Sequence, residues 1–493
     1  MLFNSYTFIL IFLPATFCVY HGLRRLGRQR AAIASLACAS LFFYGWWNPR
    51  YLVLLLALIV ANFAAARWLM AIALTARKRR LLALAVGVGG NLAVLGYFKY
   101  ANFLVDNLNA ATGFEWTLAT IVLPLGISFF TFQKIALLVD TFQGKVRQLD
   151  FLDYVLFVSF FPQLIAGPIV HHSEVMPQFR TRGRVSSEMI GLGLMIFIIG
   201  LCKKVLLADE LARYVAPVFD AAATAGAPSA WAAWAGALAY ALQLYFDFSG
   251  YSDMAIGGAL LFGIRLPLNF ASPYKADSII DFWRRWHVTL SRFLRDYLYI
   301  PLGGNRDGRV RRFVNLGVTM LLGGLWHGAA WTFVVWGALH GAYLITNHGW
   351  RALRARIGGV VAPSAPGRIA ARALTFCAVI IAWVPFRADN LASAFAMLRA
   401  MAGANGLGSF NDSPELGPAW LLIVPLLALV WLAPNTQQIT GYLPPAGPAP
   451  EPIRLPAWLR WRPSPRFAVA GGLLLAVAFL SLSKVSEFIY FQF

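Results

Sequence analysis

The sequence predicts an all-α, polytopic membrane protein, with about eleven transmembrane helices and one or two re-entrant segments in a single integral-membrane domain over residues 1 to 493. Three observations support this fold class. Of the 493 residues, 59% are hydrophobic and only 13% are charged, whereas a soluble protein of this length needs more polar surface. The apolar residues form runs long enough to cross a bilayer, and short Lys and Arg clusters flank these runs.

The formal net charge of +21 first suggests a nucleic-acid partner. The basic residues, however, stand in short clusters beside apolar runs, where they determine topology. We therefore expect contact with the lipid bilayer and no nucleic-acid partner. Four widely separated cysteines form no CxxC pair and are predicted to be small packing residues: Cys18, Cys38, Cys202 and Cys377.

The first apolar run, residues 5 to 22, is predicted to remain as a membrane anchor. No basic segment precedes it, and Arg24 and Arg25 follow it, which is the reverse of the charge order of a cleavable signal peptide. The N-terminus is then extracytoplasmic and Arg77 to Arg80 are cytoplasmic. The next helices are predicted near residues 31 to 47, 50 to 70, 81 to 99 and 121 to 139.

The apolar run from 151 to 170 has basic residues beyond both of its ends. Pro162, Gly167 and Pro168 interrupt it, so it cannot form a regular spanning helix. We predict a re-entrant segment whose free backbone groups are buried in protein and line a cavity.

Residues 273 to 312 carry many arginines among aromatic residues and are predicted to lie at the cytoplasmic membrane surface. From Arg312 to His327 a helix rises ~22 Å into a hydrocarbon core of ~30 Å, so His327 lies within the membrane. Residues 434 to 465 are predicted to be a Pro-rich cytoplasmic loop, and residues 484 to 493 an extracytoplasmic aromatic tail. The last helices are predicted near residues 331 to 349, 369 to 385, 417 to 433 and 467 to 483.

The first candidate for chemistry is His327, because an ionisable side chain inside an apolar, membrane-length segment is costly unless it has a function. Gly323, Gly324 and Gly328 flank it and allow close backbone approach. A neutral imidazole takes a proton from a hydroxyl nucleophile and returns one to a leaving group, which suits acyl transfer. The alternative is a structural histidine that hydrogen-bonds a neighbouring helix.

His287 is the second candidate, although a histidine in a basic, aromatic surface stretch can also simply anchor to lipid headgroups. The tryptophans that precede the two histidines, Trp286 and Trp326, are predicted to bind substrate. Asp247 and Asp253 lie in an apolar stretch, where carboxylates need partners or water. They either bind a polar group of the substrate or pair with an arginine.

The other histidines carry weaker signals. His340 is predicted to be a packing or hydrogen-bonding residue, and His171 and His172 to lie at the mouth of the re-entrant segment. HEXXH, P-loop and GxSxG motifs do not occur in the sequence, so no metal, nucleotide or serine-hydrolase site is expected.

Seven segments occur in the order typical of one family: LPLGISFFTFQ at 123, FPQLIAGPI at 161, QLYFDFSGYSDMAIG at 243, NF-SPY at 269, DFWRRWH at 281, LRDYLYIPLGGNR at 294 and LLGGLWHG at 321. With these segments the sequence resembles the membrane-bound O-acyltransferases over most of residues 1 to 400. It looks most like the bacterial branch that holds the membrane subunit of alginate O-acetyltransferase.

This resemblance implies a tunnel through the membrane, with His327 as the catalytic residue and His287 as the second functional position. It also implies an acyl thioester donor such as acetyl-CoA, with no bound cofactor. The implied partners are a polysaccharide acceptor and an extracytoplasmic, hydrolase-like acetyltransferase subunit. FFTFQKIALLVDTFQG and PIVHHSEVMPQF depart from the alginate subgroup, so cellulose, peptidoglycan and other envelope polymers stay open as acceptors.

The terminal FIYFQF resembles an aromatic motif of the teichoic acid D-alanylation system, whose tyrosine is a transient acyl carrier. Tyr490 matches that tyrosine, and the alternative is an aromatic-belt residue. The predicted function is thus O-acyl transfer from a cytoplasmic thioester to an extracytoplasmic polysaccharide, at a bacterial inner membrane. The competing class is a secondary transporter or export channel with proton-relaying His and Asp residues, but the sequence lacks an internal repeat.

Overall fold

A computed structural model describes residues 1 to 181, 184 to 224, 228 to 357, 364 to 409, 417 to 447 and 451 to 482. All regular secondary structure in these ranges is helical, which confirms the all-α prediction. The α-helices are Leu13–Arg25, Gln29–Gly45, Pro49–Ala71, Arg77–Leu95, Ala101–Thr112, Ile127–Phe142, Phe151–Ser159, Phe161–Leu164, His172–Phe179, Ser187–Cys202, Asp209–Ala223, Ala230–Leu261, Ile279–Arg285, Val288–Leu294, Gly308–His327, Trp331–Ile357, Ala365–Arg387, Leu391–Met401, Gly417–Leu432, Thr436–Thr440 and Pro465–Ser481. Shorter π-helical and 3₁₀ segments are Thr7–Phe12, Gly96–Tyr100, Lys203–Ala208, Pro273–Lys275 and Arg295–Tyr299.

Length and composition identify five helical segments among the described residues that can cross a membrane, and three shorter apolar helices accompany them. The protein is therefore a multi-pass membrane protein. The five segments are Thr7–Arg25, Pro49–Ala71, Arg77–Thr112, Ser187–Ala223 and Ala365–Arg387.

The fourth predicted helix is longer than expected. It continues past residue 99 through a π-helical turn to Thr112 and ends where Gly113 adopts a left-handed conformation with φ +72°. The next helix begins at Ile127 instead of near 121, because Pro124 and the left-handed Gly126 precede it. A Cβ on Gly126 would lie 2.7 Å from the Leu164 backbone oxygen, so this position requires glycine.

Ala230–Leu261 forms the centre of the molecule, although the sequence patterns did not give its boundaries. Nearly every residue from 235 to 261 is buried, as expected for a helix that is apolar on all sides. It packs along Ser187–Cys202, where glycines on both helices bring the two backbones together. A Cβ on Gly200 would lie 2.6 Å from the Gly250 backbone oxygen.

The predicted interruption of the 151 to 170 run is confirmed. Phe151–Ser159 ends at a bend, Phe161–Leu164 forms one turn, and residues 160 to 170 are buried throughout. Side chains satisfy backbone groups here, because the Phe161 N–H donates to Ser40 Oγ and the Ile169 N–H to Thr289 Oγ1.

Arg80 belongs to the cluster that we interpreted only as a topology signal, but it is buried, with 3% exposure. Its guanidinium donates to four backbone oxygens, all at 2.8 Å, at the ends of Pro49–Ala71 and Ile127–Phe142. The last carbonyls of a helix lack the regular intrahelical partners and need other donors. Arg80 therefore joins three helix ends on one side of the molecule.

Three local predictions need correction. The 273 to 312 stretch does not lie wholly at the surface, because it consists of short helices interrupted at the buried His287. The Pro-rich loop contains a short helix, Thr436–Thr440, stabilised by a capping box at Asn435. The cysteines are free, and three of them are exposed instead of packed: Cys18, Cys38 and Cys377.

Candidate active site

Two helices meet closely beside His327, and glycines make this contact possible. A Cβ on Gly324 would lie 2.2 Å from the backbone oxygen of Phe333, and one on Gly328 would lie 2.0 Å from the Phe333 ring. The predicted close approach is confirmed at these two glycines. At Gly323 the nearest obstacle is a leucine side chain at 3.2 Å, which can move.

His327 is the last residue of Gly308–His327 and is only 5% exposed. Aromatic rings surround its imidazole edge to face, with centroid distances of 4.9 Å to Trp326, 5.0 Å to Trp336 and 5.2 Å to Phe386. Packed aromatic rings fix the plane of the imidazole. The side chain that the sequence identified as the first candidate is thus held in a defined orientation.

The carbonyl groups that end this helix have side-chain donors from the Arg77–Thr112 segment. The Lys99 ammonium donates to the backbone oxygens of Trp326 at 2.6 Å and of His327 at 2.9 Å. The Tyr100 hydroxyl donates to the Leu325 oxygen at 2.7 Å. A cation at a helix C-terminus is favoured by the helix dipole as well as by hydrogen bonding.

Lys99 was not among the predicted site residues. The signal was present, because a lysine inside the apolar segment GYFKYANF is as costly as the histidine at 327. We interpreted residue 99 only as the end of a helix.

A cavity of about 180 Å³ connects these groups. Its polar lining includes Lys99 and His327, and the buried segment around 165 closes one side. The lining residues are Trp47, Lys99, Leu123, Pro124, Leu125, Gly126, Ile127, Ser128, Phe129, Ile165, Ala166, Trp326 and His327. The prediction that the 151 to 170 run lines a cavity is therefore confirmed.

His287 is fully buried, so the alternative in which it anchors to lipid headgroups is wrong. Its backbone has φ 43°, an unusual conformation for a residue with a Cβ. Its Nδ1 lies 3.0 Å from Asn269 Oδ1, which also accepts from Thr289 Oγ1, while the Asn269 amide group donates to Ser252. This network places the proton on Nδ1 and leaves the Nε2 lone pair for another partner.

Trp326 lies between the two histidines. Its ring is 6.2 Å from that of His287 and 4.9 Å from that of His327, and it stacks on Phe132 at 5.2 Å. Trp326 lines the cavity, and its contact with a substrate stays a prediction.

Trp286 does not line this cavity. It is 1% exposed and packs against Phe270 and Trp383, each at 5.0 Å between ring centroids. The structure therefore gives it a role in the aromatic core beneath His287, in place of the predicted contact with substrate.

The buried carboxylates are paired, but with lysines instead of the predicted arginine. Asp247 lies 2.8 Å from the Lys204 ammonium, which also contacts Asp209 at 2.8 Å. Asp253 accepts from three side chains at 2.6 to 2.7 Å: Lys203, Thr436 and Gln437. These contacts explain how the central helix tolerates both charges, so the structure favours the pairing alternative over substrate binding.

His340 is fully buried, and the Trp283 indole N–H donates to its Nδ1 at 3.3 Å. This confirms its predicted packing and hydrogen-bonding role. Tyr490 and the predicted tail at 484 to 493 lie outside the described residues.

The family model of the membrane-bound O-acyltransferases matches residues 6 to 360. The chain belongs to this family. It is an O-acetyltransferase, and the acyltransferase interpretation of its sequence is confirmed.

Curated relatives cover most or all of the chain. It is 45% identical to the peptidoglycan O-acetyltransferase of Helicobacter pylori in an alignment 443 positions long that covers 84% of this chain and 82% of that one. It is 40% identical to a probable alginate O-acetylase of Pseudomonas putida in an alignment 509 positions long, gaps included, that covers 100% of both chains. A teichoic acid D-alanyltransferase of Bacillus subtilis is 29% identical in an alignment 232 positions long that covers 45% of this chain and 58% of that one.

Proposed function

We propose that this O-acetyltransferase takes an acetyl group from a cytoplasmic thioester, acetyl-CoA or another acyl thioester, and delivers it for O-acetylation of an extracytoplasmic polysaccharide. The observation that carries this proposal is a buried imidazole fixed beside a cavity inside a multi-pass membrane protein. Both O-acetyltransferase relatives described above are named for polymers of the cell envelope.

His327 acts as the general base in this scheme. The acceptor hydroxyl loses its proton to the imidazole while its oxygen bonds to the thioester carbonyl carbon. The carbon–sulfur bond then breaks, and the imidazolium returns the proton to the departing thiolate. The surrounding aromatic rings hold the imidazole in a fixed orientation for this proton transfer.

His287 and Lys99 have supporting roles in this proposal. The Nε2 of His287, oriented through Asn269, meets the donor on its way toward His327. Lys99 holds the final carbonyls of the His327 helix and fixes the position of the base. Trp326 separates the two histidines and packs along the acyl path.

An alginate-like polymer is the first choice of acceptor, because alignment with the probable alginate O-acetylase spans both chains from end to end. Peptidoglycan is the alternative, supported by the higher identity to the Helicobacter pylori enzyme. An extracytoplasmic hydrolase-like subunit completes the transfer in our scheme, since the cavity around His327 is too small for a polymer chain.

The proposed arrangement in the bacterial inner membrane has about eleven spans, a re-entrant segment at 160 to 170 and a tunnel that passes His287 and His327. Both termini are extracytoplasmic, which requires an even number of spans close to the predicted eleven, and the Pro-rich loop is cytoplasmic. The buried, irregular backbone at 160 to 170 supports the re-entrant segment.

Complementation tests the function and the polymer together. The chain and its His327→Ala variant are expressed in two strains, one without its alginate O-acetylase and one without its peptidoglycan O-acetyltransferase, each retaining the partner subunits. We expect acetyl ester on alginate with the unmodified chain and none with His327→Ala, whereas His348→Ala serves as a control that keeps activity. Acetylation restored only on peptidoglycan would identify peptidoglycan as the acceptor in place of alginate. Restoration by His327→Ala would show that His327 is not the general base.

Tyr490 is proposed to carry the acetyl group between the tunnel and the final acceptor. Phenol esters are activated, because a leaving group with a pKa near 10 departs more readily than a sugar alkoxide. Tyr490→Phe keeps the ring and deletes only the nucleophilic oxygen. We expect loss of polymer acetylation with normal protein levels, measured as released acetate. Acetylation at the unmodified rate would assign Tyr490 to an aromatic belt.

A further inference from the structure

Three side chains with metal-binding atoms meet at the end of Ile127–Phe142. Asp140 lies in the last turn of this helix, and His171 and His172 follow the buried 160 to 170 segment. One ligand atom from each residue lies within 4.8 Å of the other two. Sequence motifs did not reveal this cluster, because 31 residues separate the carboxylate from the first histidine.

We propose that Asp140, His171 and His172 bind a divalent metal ion, with Zn²⁺ as the expected ion. Two imidazole nitrogens and a carboxylate oxygen form a donor set that suits zinc. In a tetrahedral zinc site the ligand atoms lie about 3.3 Å from one another. Oδ2 of Asp140 is 2.5 Å from Nε2 of His171 and 3.7 Å from Nδ1 of His172, so small rotations bring both distances to this value.

Neighbouring groups orient the first two ligands. Nδ1 of His171 lies 2.6 Å from the Ser173 hydroxyl, so its other nitrogen faces the cluster. The Lys145 ammonium lies 3.1 Å from Oδ1 of Asp140 and leaves Oδ2 directed at the histidines. Hydrogen bonds from the outer atoms of metal ligands are typical of zinc sites.

The second histidine distinguishes a metal site from a hydrogen-bonded cluster. Hydrogen bonds among Asp140, His171 and the Tyr297 hydroxyl account for those three side chains without a metal. They do not account for His172, whose Nδ1 is buried and makes no hydrogen bond within the described part of the chain. A metal ion gives this nitrogen a partner.

A fourth coordination position is available at Tyr297. Its hydroxyl oxygen lies 2.8 Å from both Asp140 Oδ2 and His171 Nε2, where either the phenol or a water completes a tetrahedron. The metal then joins the end of Ile127–Phe142, the chain that leaves the 160 to 170 segment, and the Arg295–Tyr299 turn. This inference is independent of the polymer that the enzyme acetylates.

The test uses the full-length protein in detergent. Zinc is removed with a chelator, one equivalent of Zn²⁺ or Co²⁺ is added, and excess is removed by gel filtration. We expect about one metal ion per chain by mass spectrometry of the elements, and visible absorption bands of tetrahedral Co²⁺. His172→Ala should weaken metal binding by more than about tenfold, whereas His348→Ala should bind as the unmodified protein does.

Two results would overturn the proposal: an unmodified protein that elutes without metal, or a His172→Ala protein that binds as tightly as the unmodified one. Because Nδ1 of His172 makes no hydrogen bond within the described part of the chain, the alanine variant breaks none at that atom. An unchanged elution volume shows that the variant is folded. Tyr297→Phe distinguishes a phenol ligand from a water, since only a phenol ligand makes the Co²⁺ spectrum change.

Discussion

The two central histidines are held by different means. Aromatic rings surround the imidazole of His327 at a helix end. The imidazole of His287 is hydrogen-bonded to Asn269, and its backbone is in a left-handed conformation. A residue with a Cβ adopts that conformation at a cost of order 1–3 kcal/mol. Its persistence here indicates that the surrounding packing determines where the His287 imidazole lies.

Lys99 gives the sharpest prediction at the scale of a single residue. Lys99→Met removes two charge-assisted hydrogen bonds to the carbonyls at Trp326 and His327, and such bonds contribute about 1.5–3 kcal/mol each. We expect the rate of acetyl transfer to fall about tenfold to a hundredfold, mainly in kcat, because the base loses its position while the donor still binds. Lys99→Arg should restore part of the rate.

Lys78→Met is the matched control, since Lys78 is exposed near the start of the same helical segment. Initial rates with a labelled thioester in membrane vesicles provide the measurement. Equal rates for Lys99→Met and Lys78→Met, at equal protein levels, would show that the helix end does not need the ammonium group.

The sequence identified the ionisable residues whose burial is energetically costly better than it identified the residues that pair with them. The rule that burial of a charge requires a reason selected His327, Asp247 and Asp253. It did not specify Lys204 and Lys203 as the partners of the carboxylates, because these contacts form only when two helices pack together. Applied evenly along the chain, the same rule would also have selected Lys99.

At the scale of helices, prediction succeeded where apolar runs have clear ends. Pro49–Ala71 matches the predicted 50 to 70 almost residue for residue, and Asn48 and Pro49 give the helix a strong start. It failed around His287, where an arginine-rich, aromatic stretch was predicted to lie at the membrane surface. Charge composition alone cannot show that Ile279–Arg285 and Val288–Leu294 fold back into the core.

Glycines in the sequence predicted where two helices approach each other closely. Gly324 and Gly328 beside His327 indicated close approach, and the structure places a neighbouring helix so near that no Cβ fits. The partner helix itself, Trp331–Ile357, was predicted to end near residue 349. Its extension to 357 follows from arginines and leucine, which are good helix formers.

At the scale of the whole molecule, the distribution of basic residues gives the proposed topology, and two contacts support it. Arg285 forms an ion pair with Glu451 in the loop, and Lys275 donates to the oxygen of Ala433, the residue just before the loop, at 2.6 Å. The Pro-rich loop therefore lies against the arginine-rich 273 to 312 stretch. Both segments then lie on one side of the membrane, which is the cytoplasmic side in our proposed topology.

Cysteine labelling tests this topology after the four native cysteines are replaced. In intact spheroplasts, an impermeant thiol reagent should label Glu115→Cys and Gln492→Cys, because both positions are extracytoplasmic in our scheme. Arg454→Cys, in the Pro-rich loop, should react only after the membrane is permeabilised. Labelling of Arg454→Cys but not Gln492→Cys in intact spheroplasts would show that the C-terminal half has the opposite orientation in the membrane. The carrier role of Tyr490 would then be wrong as well.

The most direct test of the central claim, that the His327 imidazole transfers the proton, is chemical rescue. Labelled acetyl transfer is measured in vesicles that contain the partner subunit and polymer, with and without added imidazole. We predict that His327→Ala lowers the rate by about a hundredfold or more, and that imidazole restores part of it. His327→Phe, which fills the same space, should not respond. A near-normal rate in His327→Ala, or equal stimulation of both variants by imidazole, would contradict the claim.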